Sequence, residues 1–200
     1  MFDSKKRNEL IGTSLFTVLI LLFLCLAFLN DSFFDWAYAR HQNQLSWYIR
    51  PLFILPFCFF SYKKSLSGIA GTVFLLLTSM FWFSKPEVVG ENAKQFLDME
   101  KAWLTGEWTF AKIAMTLIVP VSLIILSAAF WKRNLWFGLS VVIFIAIAKM
   151  VWSVAFGGDS GKSIFIPAIT GLIICCAFIL LGAGRIRKKR IYDGNESEKS

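Results

Sequence analysis

The sequence predicts an all-α integral membrane protein, a six-transmembrane-helix bundle with both termini in the cytoplasm (N-in/C-in) and an outer interfacial amphipathic helix. Three observations lead to this prediction. Hydrophobic residues make up 56% of the chain and charged residues 17%, whereas a soluble domain carries about a quarter charged residues. Six apolar stretches are long enough to cross a bilayer, and basic residues cluster in alternate loops. No polar stretch is long enough for a second domain, so residues 1–184 are expected to form one unit.

The predicted spans follow from the length of helix that a bilayer requires, about 20 apolar residues. They cover residues 11–29, 45–62, 66–84, 110–131, 135–156 and 164–184. The first span follows a basic start and is longer than the apolar core of a signal peptide, so we expect it to be an anchor. The second span contains Arg50, and residues 51–62 alone would make only about 18 Å of helix. Either Arg50 lies inside the membrane-embedded helix or the segment is re-entrant, and the charge pattern favours a span.

Basic residues indicate which loops face the cytoplasm. The N-terminal segment, the turns after the second and fourth spans and the tail after the sixth span are rich in Lys and Arg, and neither turn contains an acid. In the long loops after the first and third spans, acids outnumber basic residues. Adding or removing one span would destroy this alternation. We therefore expect a multi-pass protein of the cell (plasma or inner) membrane, with residues 185–200 forming a basic and then polar cytoplasmic tail.

Several functional classes are disfavoured by composition. The net charge of +8 does not indicate nucleic acid, because the basic residues mark cytoplasmic loops. The four cysteines lie in apolar runs without a C-x-x-C pair, so no zinc or redox site is predicted. A single histidine cannot form a bis-histidine haem site or a histidine metal cluster, and no glycine-rich nucleotide loop is present. We expect no metal, no cofactor and no sharp catalytic constellation.

Three cationic side chains lie within predicted spans, and a charge inside a membrane indicates a functional site by default. All three map to the outer half of the bilayer. For Lys112, about one turn from its helix end, we expect the side chain to snorkel to the headgroups. For Arg50 and Lys149 two interpretations stay open, an interior polar site or structural pairing with Glu107 or Asp159. The candidate ligand-binding residues are Arg50, Lys149, His41, Glu107, Asp159, Asp35 and Lys112.

Two outer loops are predicted to lie on the membrane surface. In residues 91–104, Phe96, Met99 and Trp103 recur at helical spacing opposite polar residues, a pattern typical of an interfacial amphipathic helix. Residues 31–44 are a shorter candidate of the same kind. Together the two segments either form a lid over the outer charges or serve as connectors that contact lipid.

One short motif resembles a catalytic serine motif. Gly158-Asp159-Ser160-Gly161 is similar over four residues to the G-x-S-G motif of the six-span rhomboid proteases. Their catalytic histidine belongs to a later span, whereas no histidine follows Ser160 and His41 would have to act from an outer loop. A helix start explains the motif better, with glycines forming the turn and Asp159 or Ser160 capping the helix.

These features favour a small transporter-like or channel-like protein that binds a polar, anionic ligand in the outer half of the membrane. Arg50 and Lys149 would hold the negative group, as paired cations do for carboxylate or phosphate. His41, Glu107 and Asp159 would set its protonation state or form gate pairs. The alternatives are a membrane enzyme acting on a lipid or lipid-linked substrate, with Asp35, His41 or Asp159 as acid or base, and an accessory subunit of a larger complex. The expected partners are membrane lipid, a small anion and other membrane protein subunits.

Overall fold

The fold consists of helices joined by loops. The computed structural model describes the backbone of residues 4–197 and the side chains as far as Arg185. Its helices are α1 Ser4–Leu29, α2 Asp31–His41, α3 Leu45–Leu52, α4 Ile54–Lys63, α5 Leu66–Thr78, α6 Glu91–Thr105, α7 Phe110–Trp131, α8 Leu135–Gly157 and α9 Phe165–Ser197. Two 3₁₀ helices cover Ser79–Phe81 and Ser160–Ile164. No strand occurs between residues 4 and 197, which confirms the all-α prediction.

Four helical segments are long and apolar enough to cross a membrane. They are Ser4–Leu29, Phe110–Trp131, Leu135–Gly157 and Ser160–Arg185. Their outward faces are apolar, with Ile124, Trp136 and Leu181 each more than half exposed. Lipid rather than water suits such a surface. The molecule therefore has the composition and the helix lengths of a membrane protein.

The segment predicted as the second span is divided into two short helices. Pro51 and Pro56 have no N–H to donate, so the carbonyls of Trp47 and Leu52 lose their usual helical partners. The helix tightens at Phe53, whose N–H bonds to the carbonyl of Arg50 at 3.2 Å. α3 and α4 consequently do not form one continuous helix, although only one residue separates them.

The segment predicted as the third span is shorter than expected. α5 has 13 residues, and the 3₁₀ helix that follows has three, so together they extend about 24 Å. The hydroxyl of Ser79 bonds to the carbonyl of Leu76 at 2.7 Å, within this closing turn. Residues 82–84, predicted to belong to the span, lie outside the helix.

The two basic turns have the same backbone structure and lie side by side. Lys64 and Arg133 each adopt a left-handed conformation, with φ of 58° and 59°. The next residue in each turn, Ser65 or Asn134, caps the following helix with its side chain. Lys64 lies over the ring of Trp131, and Arg133 lies over the ring of Tyr62. These reciprocal contacts place both turns at one end of the bundle.

The helices pack in the order α1, α5, α4, α7, α8 and α9, with α3 against α9. One apolar core lies toward the basic turns and includes Phe57, Leu126 and Phe130. A second core lies beneath α6 and includes Trp47 and Phe96. Close packing of α3 on α9 depends on Gly171, because a Cβ there would collide with the ring of Pro51. The second core carries the polar residues described next.

Both predicted surface segments contain helices, α6 and α2, and each buries one face. On α6 the buried face holds Ala93, Phe96 and Leu97, at most 2% exposed, whereas the predicted residues Met99 and Trp103 are only half-buried. On α2 the buried residues are Ala37, Tyr38 and His41. Each helix is therefore a packed part of the fold and not a loose connector.

Candidate functional site: a cluster of four ionisable residues

Four ionisable side chains from four helices meet beneath α6, and we refer to them as the charge cluster. They are His41 at the end of α2, Arg50 on α3, Glu100 on α6 and Lys149 on α8. Arg50 and Lys149, the two predicted ligand-binding cations, thus both act electrostatically on His41 and Glu100 although they are far apart in sequence. The cluster adjoins the aromatic residues of the second core.

Hydrogen bonds define the tautomer of His41. The Ser46 hydroxyl donates to the carbonyl of Asn43 at 2.8 Å, so its oxygen is available to accept from the His41 Nδ1–H, 3.0 Å away. The opposite ring nitrogen, Nε2, lies 3.2 Å from Nη1 of Arg50. A guanidinium can only donate, so Nε2 must carry the lone pair. His41 is therefore a neutral imidazole with its proton on Nδ1.

The pKa of His41 agrees with this assignment. Burial and, to a smaller extent, the positive charge of Arg50 lower this pKa from the ordinary 6.5 to about 3, while Glu100 acts in the opposite direction. Trp47 donates its indole N–H to the backbone carbonyl of His41 at 3.0 Å and so fixes the backbone there, while Ser46 and Arg50 hold the ring itself. The imidazole thus acts as a fixed acceptor for Arg50.

Glu100 and Lys149 form the ion pair of the cluster. Lys149 Nζ lies 3.0 Å from Glu100 Oε1, and the Glu100 side chain is 18% exposed. The Lys149 ammonium also lies 4.6 Å from the centre of the Trp152 ring, a cation–π contact. Burial would raise the pKa of Glu100, but the positive charges of Lys149 and Arg50 outweigh burial and lower it. Glu100 is accordingly ionised in the pair.

Arg50 has donor capacity to spare. Its guanidinium carries five N–H donors, and its hydrogen bond in the described part of the chain goes to His41. No ion pair among the described side chains joins Arg50 to Glu100, although Arg50 is close enough to affect the pKa of Glu100. The cluster therefore contains two cations and one anion, with one cation not directly paired.

A groove of about 390 Å³ opens beside the cluster, at the N-terminal ends of α3, α6 and α9. Trp47 lines this groove, and the same indole holds the His41 carbonyl. Gln44, Asn92 and Pro167 lie on its other sides. The four cluster residues themselves do not line the groove, which comes next to the cluster at Trp47.

The acids predicted from sequence as cluster members lie elsewhere. Asp35 pairs with Lys101 at 2.7 Å, and Asp159 pairs with Lys162 at 2.5 Å, both at exposed positions. Glu107 is exposed in the segment between α6 and α7. The predicted pairing of Arg50 or Lys149 with Glu107 or Asp159 is therefore wrong, because the docking of α6 brings Glu100 to Lys149 instead.

Lys112 does not extend to the surface, contrary to the predicted snorkelling. Its side chain is buried, and its Nζ donates to the carbonyl of Gly106 at 2.8 Å. The ammonium also lies over the rings of Trp108 and Trp103, at 4.6 and 5.2 Å. Because Gly106 ends α6, Lys112 anchors the C-terminal end of that helix to α7.

The serine motif is a turn, as the local pattern indicated, but the predicted cap is wrong, because the Asp159 side chain makes no capping hydrogen bond and Ser160 bonds back to the preceding turn. The Ser160 hydroxyl donates to the carbonyl of Gly157 at 2.7 Å, within the turn that ends α8. Gly158 has a φ of 54°, a conformation that favours glycine. Among the described residues, no group of three potential metal-ligating side chains comes together.

Glu100 is the cluster residue that sequence reasoning missed as a site residue. It was counted only as one acid of an outer loop, yet it follows Phe96 by four residues and Leu97 by three. This spacing places its carboxylate on the apolar stripe of α6. A charged residue on the buried face of an amphipathic helix was the signal that could have identified it.

No protein-family model, curated protein or solved structure matches the chain.

Proposed function

We propose that this chain is a multi-pass protein of the cell membrane that binds a small anion at the charge cluster, in the manner of a small transporter or channel. The observation that carries the proposal is the charge of the cluster. Arg50 and Lys149 are opposed by the single carboxylate of Glu100, while His41 is neutral by its hydrogen bonds. A partly buried excess of positive charge is unfavourable unless an anion compensates it.

The proposed topology has six crossing segments with both termini in the cytoplasm. The α3–α4 pair and α5 with its 3₁₀ helix would supply the two crossings that are shorter or broken. The side-by-side basic turns at Lys64 and Arg133 support this arrangement, because positive loops collect on the cytoplasmic side. The charge cluster lies toward the other end of the helices, which corresponds to the outer half of the bilayer.

The contacts that the histidine and the acids make favour binding over catalysis. Both ring nitrogens of His41 have partners, so the imidazole has no free lone pair for a proton. Asp35 and Asp159 lie in separate exposed ion pairs. The residues proposed for an enzyme acting on a lipid-linked substrate are thus not assembled around a common point.

A role in transport is favoured by the backbone next to Arg50. The helix breaks at Phe53, three residues after Arg50, where the prolines leave carbonyls without helical partners. Broken helices that carry a charged residue are a common way to build a substrate site within a membrane. An accessory subunit would not require a cation at such a break.

Binding of defined anions tests the proposal. The melting temperature of the purified protein in an uncharged detergent would be followed against methanesulfonate and acetate at matched ionic strength. We expect both anions to stabilise the wild type and to lose this effect in Arg50→Gln. Lys162→Gln, which removes an exposed lysine that is paired with Asp159 and not with a cluster residue, is the matched control and should respond like wild type. An unchanged response of Arg50→Gln would contradict the proposal.

Uptake into proteoliposomes separates transport from binding. Methanesulfonate keeps its charge at neutral pH and does not cross a lipid bilayer readily, so radiolabelled methanesulfonate reports protein-dependent flux. We expect uptake by wild-type vesicles and none above the protein-free level with Arg50→Gln. Binding without uptake would show that the protein binds methanesulfonate but does not transport it.

A further inference from the structure

We infer that Glu100 determines the charge of the ligand, so that the site accepts a singly charged oxyanion and discriminates against a doubly charged one. The inference rests on the proposed anion site and names its substrate class. It follows from the position of Glu100, which places one fixed negative charge between α6 and the cation on α8.

The net charge of the cluster is one positive charge. Arg50 cannot lose its proton in a protein, and the lysine side chain of Lys149 contributes the second positive charge, 3.0 Å from the carboxylate of Glu100. Glu100 contributes one negative charge and neutral His41 contributes none. A single negative charge on a ligand would therefore bring the cluster to neutrality, whereas a second would be left without a partner in a partly buried site.

Neighbouring ionisable groups do not alter this count. Lys101 is compensated by Asp35, and Lys112 is held at the carbonyl of Gly106, behind the ring of Trp103. Tyr38 packs beside His41 with its phenol neutral, because burial raises its pKa. The remaining charged residues of α6, Glu91, Lys94 and Asp98, are on its exposed face.

The geometry of Arg50 favours an oxyanion. Arg50 donates an N–H of its Nη1 to His41. The other edge of the guanidinium, with the parallel Nε–H and Nη2–H, has no acceptor among the described residues. Two parallel N–H donors match two oxygens of a carboxylate, sulfonate or phosphate group. Shape alone would not separate these ligands, so discrimination has to come from charge.

Methanesulfonate and sulfate provide the test. Both present tetrahedral S–O oxygens, but they carry one and two negative charges. Dissociation constants would be measured from the melting temperature at matched ionic strength, with Arg50→Gln as the blank for general salt effects. The wild type should bind methanesulfonate about tenfold or more tightly than sulfate, the scale of one partly buried charge interaction.

Glu100→Gln is the decisive variant, because it raises the cluster to two positive charges with almost no change of shape. It should move the preference toward sulfate by at least about tenfold. Glu107→Gln makes the same chemical change at an exposed position and should leave the preference as in wild type. The double variant Glu100→Gln/Lys149→Gln returns the net charge to one, so it should again prefer methanesulfonate.

The outcomes separate this inference from the proposed function. If Arg50→Gln binds both probes like wild type, the anion site itself is wrong. If binding depends on Arg50 but Glu100→Gln keeps the wild-type preference, the inference alone is overturned. Should Glu100→Gln fail to fold, Lys149→Gln takes its place. That variant makes the cluster neutral and should lose methanesulfonate binding at least about tenfold, and retention of full affinity would overturn the inference.

Discussion

Lys149 on α8 and Glu100 on α6 are joined at 3.0 Å across 49 residues of sequence. The contact links α8, which carries a predicted intramembrane charge, to the amphipathic helix α6. It also makes the site and the docking of α6 interdependent, because removing either charge leaves the other beneath α6 without its partner.

Loss of Lys149 is expected to destabilise the protein. In Lys149→Met the carboxylate of Glu100 stays in a largely buried position without its partner. Because the Lys149 side chain is 42% exposed, we expect a loss of about 1–2 kcal/mol, below the cost of breaking a fully buried pair. Thermal melting of the purified variants would measure it. The double variant Glu100→Gln/Lys149→Met should recover most of the loss, and additive effects of the two changes would show that the pair is not coupled.

The protonation state of His41 can be measured directly, because it is the only histidine in the chain. Nitrogen NMR of histidine-labelled protein should show a single neutral imidazole with its proton on Nδ1 between pH 8 and 5. Arg50→Gln should change the Nε2 signal, since that nitrogen accepts from Arg50. An imidazolium signal at pH 6, or a proton on Nε2, would contradict the hydrogen-bond assignment.

Stability should decrease as the pH falls below about 6.5. The pKa of His41 is about 3 in the folded protein and near 6.5 when unfolded, so the unfolded chain binds more protons between these values. The stabilisation is fully present above pH 6.5 and decreases on acidification, by at most about 1.4 kcal/mol per pH unit. Melting temperatures at pH 7, 6 and 5 would show this loss of stability in a pH range where most carboxylates stay ionised. In His41→Gln the melting temperature should depend less on pH. If it falls as steeply as in wild type, groups other than His41 cause the pH dependence.

Lys112 is expected to stabilise α6 without contributing to anion binding. Lys112→Met removes the hydrogen bond to Gly106 and the contacts with two tryptophan rings, at a cost of about 1–2 kcal/mol. The response to methanesulfonate should stay as in wild type, because the ammonium lies apart from the charge cluster. Melting with and without the probe anion checks both statements, and loss of the anion response would place Lys112 within the site.

The proposed topology can be tested with single cysteines in a background lacking Cys25, Cys58, Cys175 and Cys176. Cysteines at Lys64 and Lys132 should react with a membrane-impermeant maleimide only from the cytoplasmic side. Cysteines at Lys94 and Lys162 should react only from outside. Lys94 represents α6 because it is exposed, whereas the Glu100 side chain points into the cluster. Labelling of Lys64 and Lys94 from the same side would exclude the six-span arrangement.

Sequence alone determined the helical membrane character and most helix limits. The predicted segment 110–131 coincides with α7, and 135–156 differs from α8 by one residue. Such limits can be read from sequence because they depend on local properties, namely apolar length and caps such as Thr109 and Asn134. Arg50 and Lys149 were recognisable as site candidates for a similar reason, since a charge within an apolar run is visible without any fold.

Only the tertiary structure decided which groups meet those charges. The sequence indicated Glu107 and Asp159 as partners because they lie on the outer side near the ends of the spans, and it did not single out Glu100. The burial of Phe96 and Leu97 sets the rotation of α6, and that rotation brings Glu100 to Lys149. The neutral state of His41 likewise depends on Ser46 and Arg50 together, which reach opposite sides of one ring. Partner choice depends on how helices dock and rotate against one another, and no local pattern in the sequence specifies that geometry.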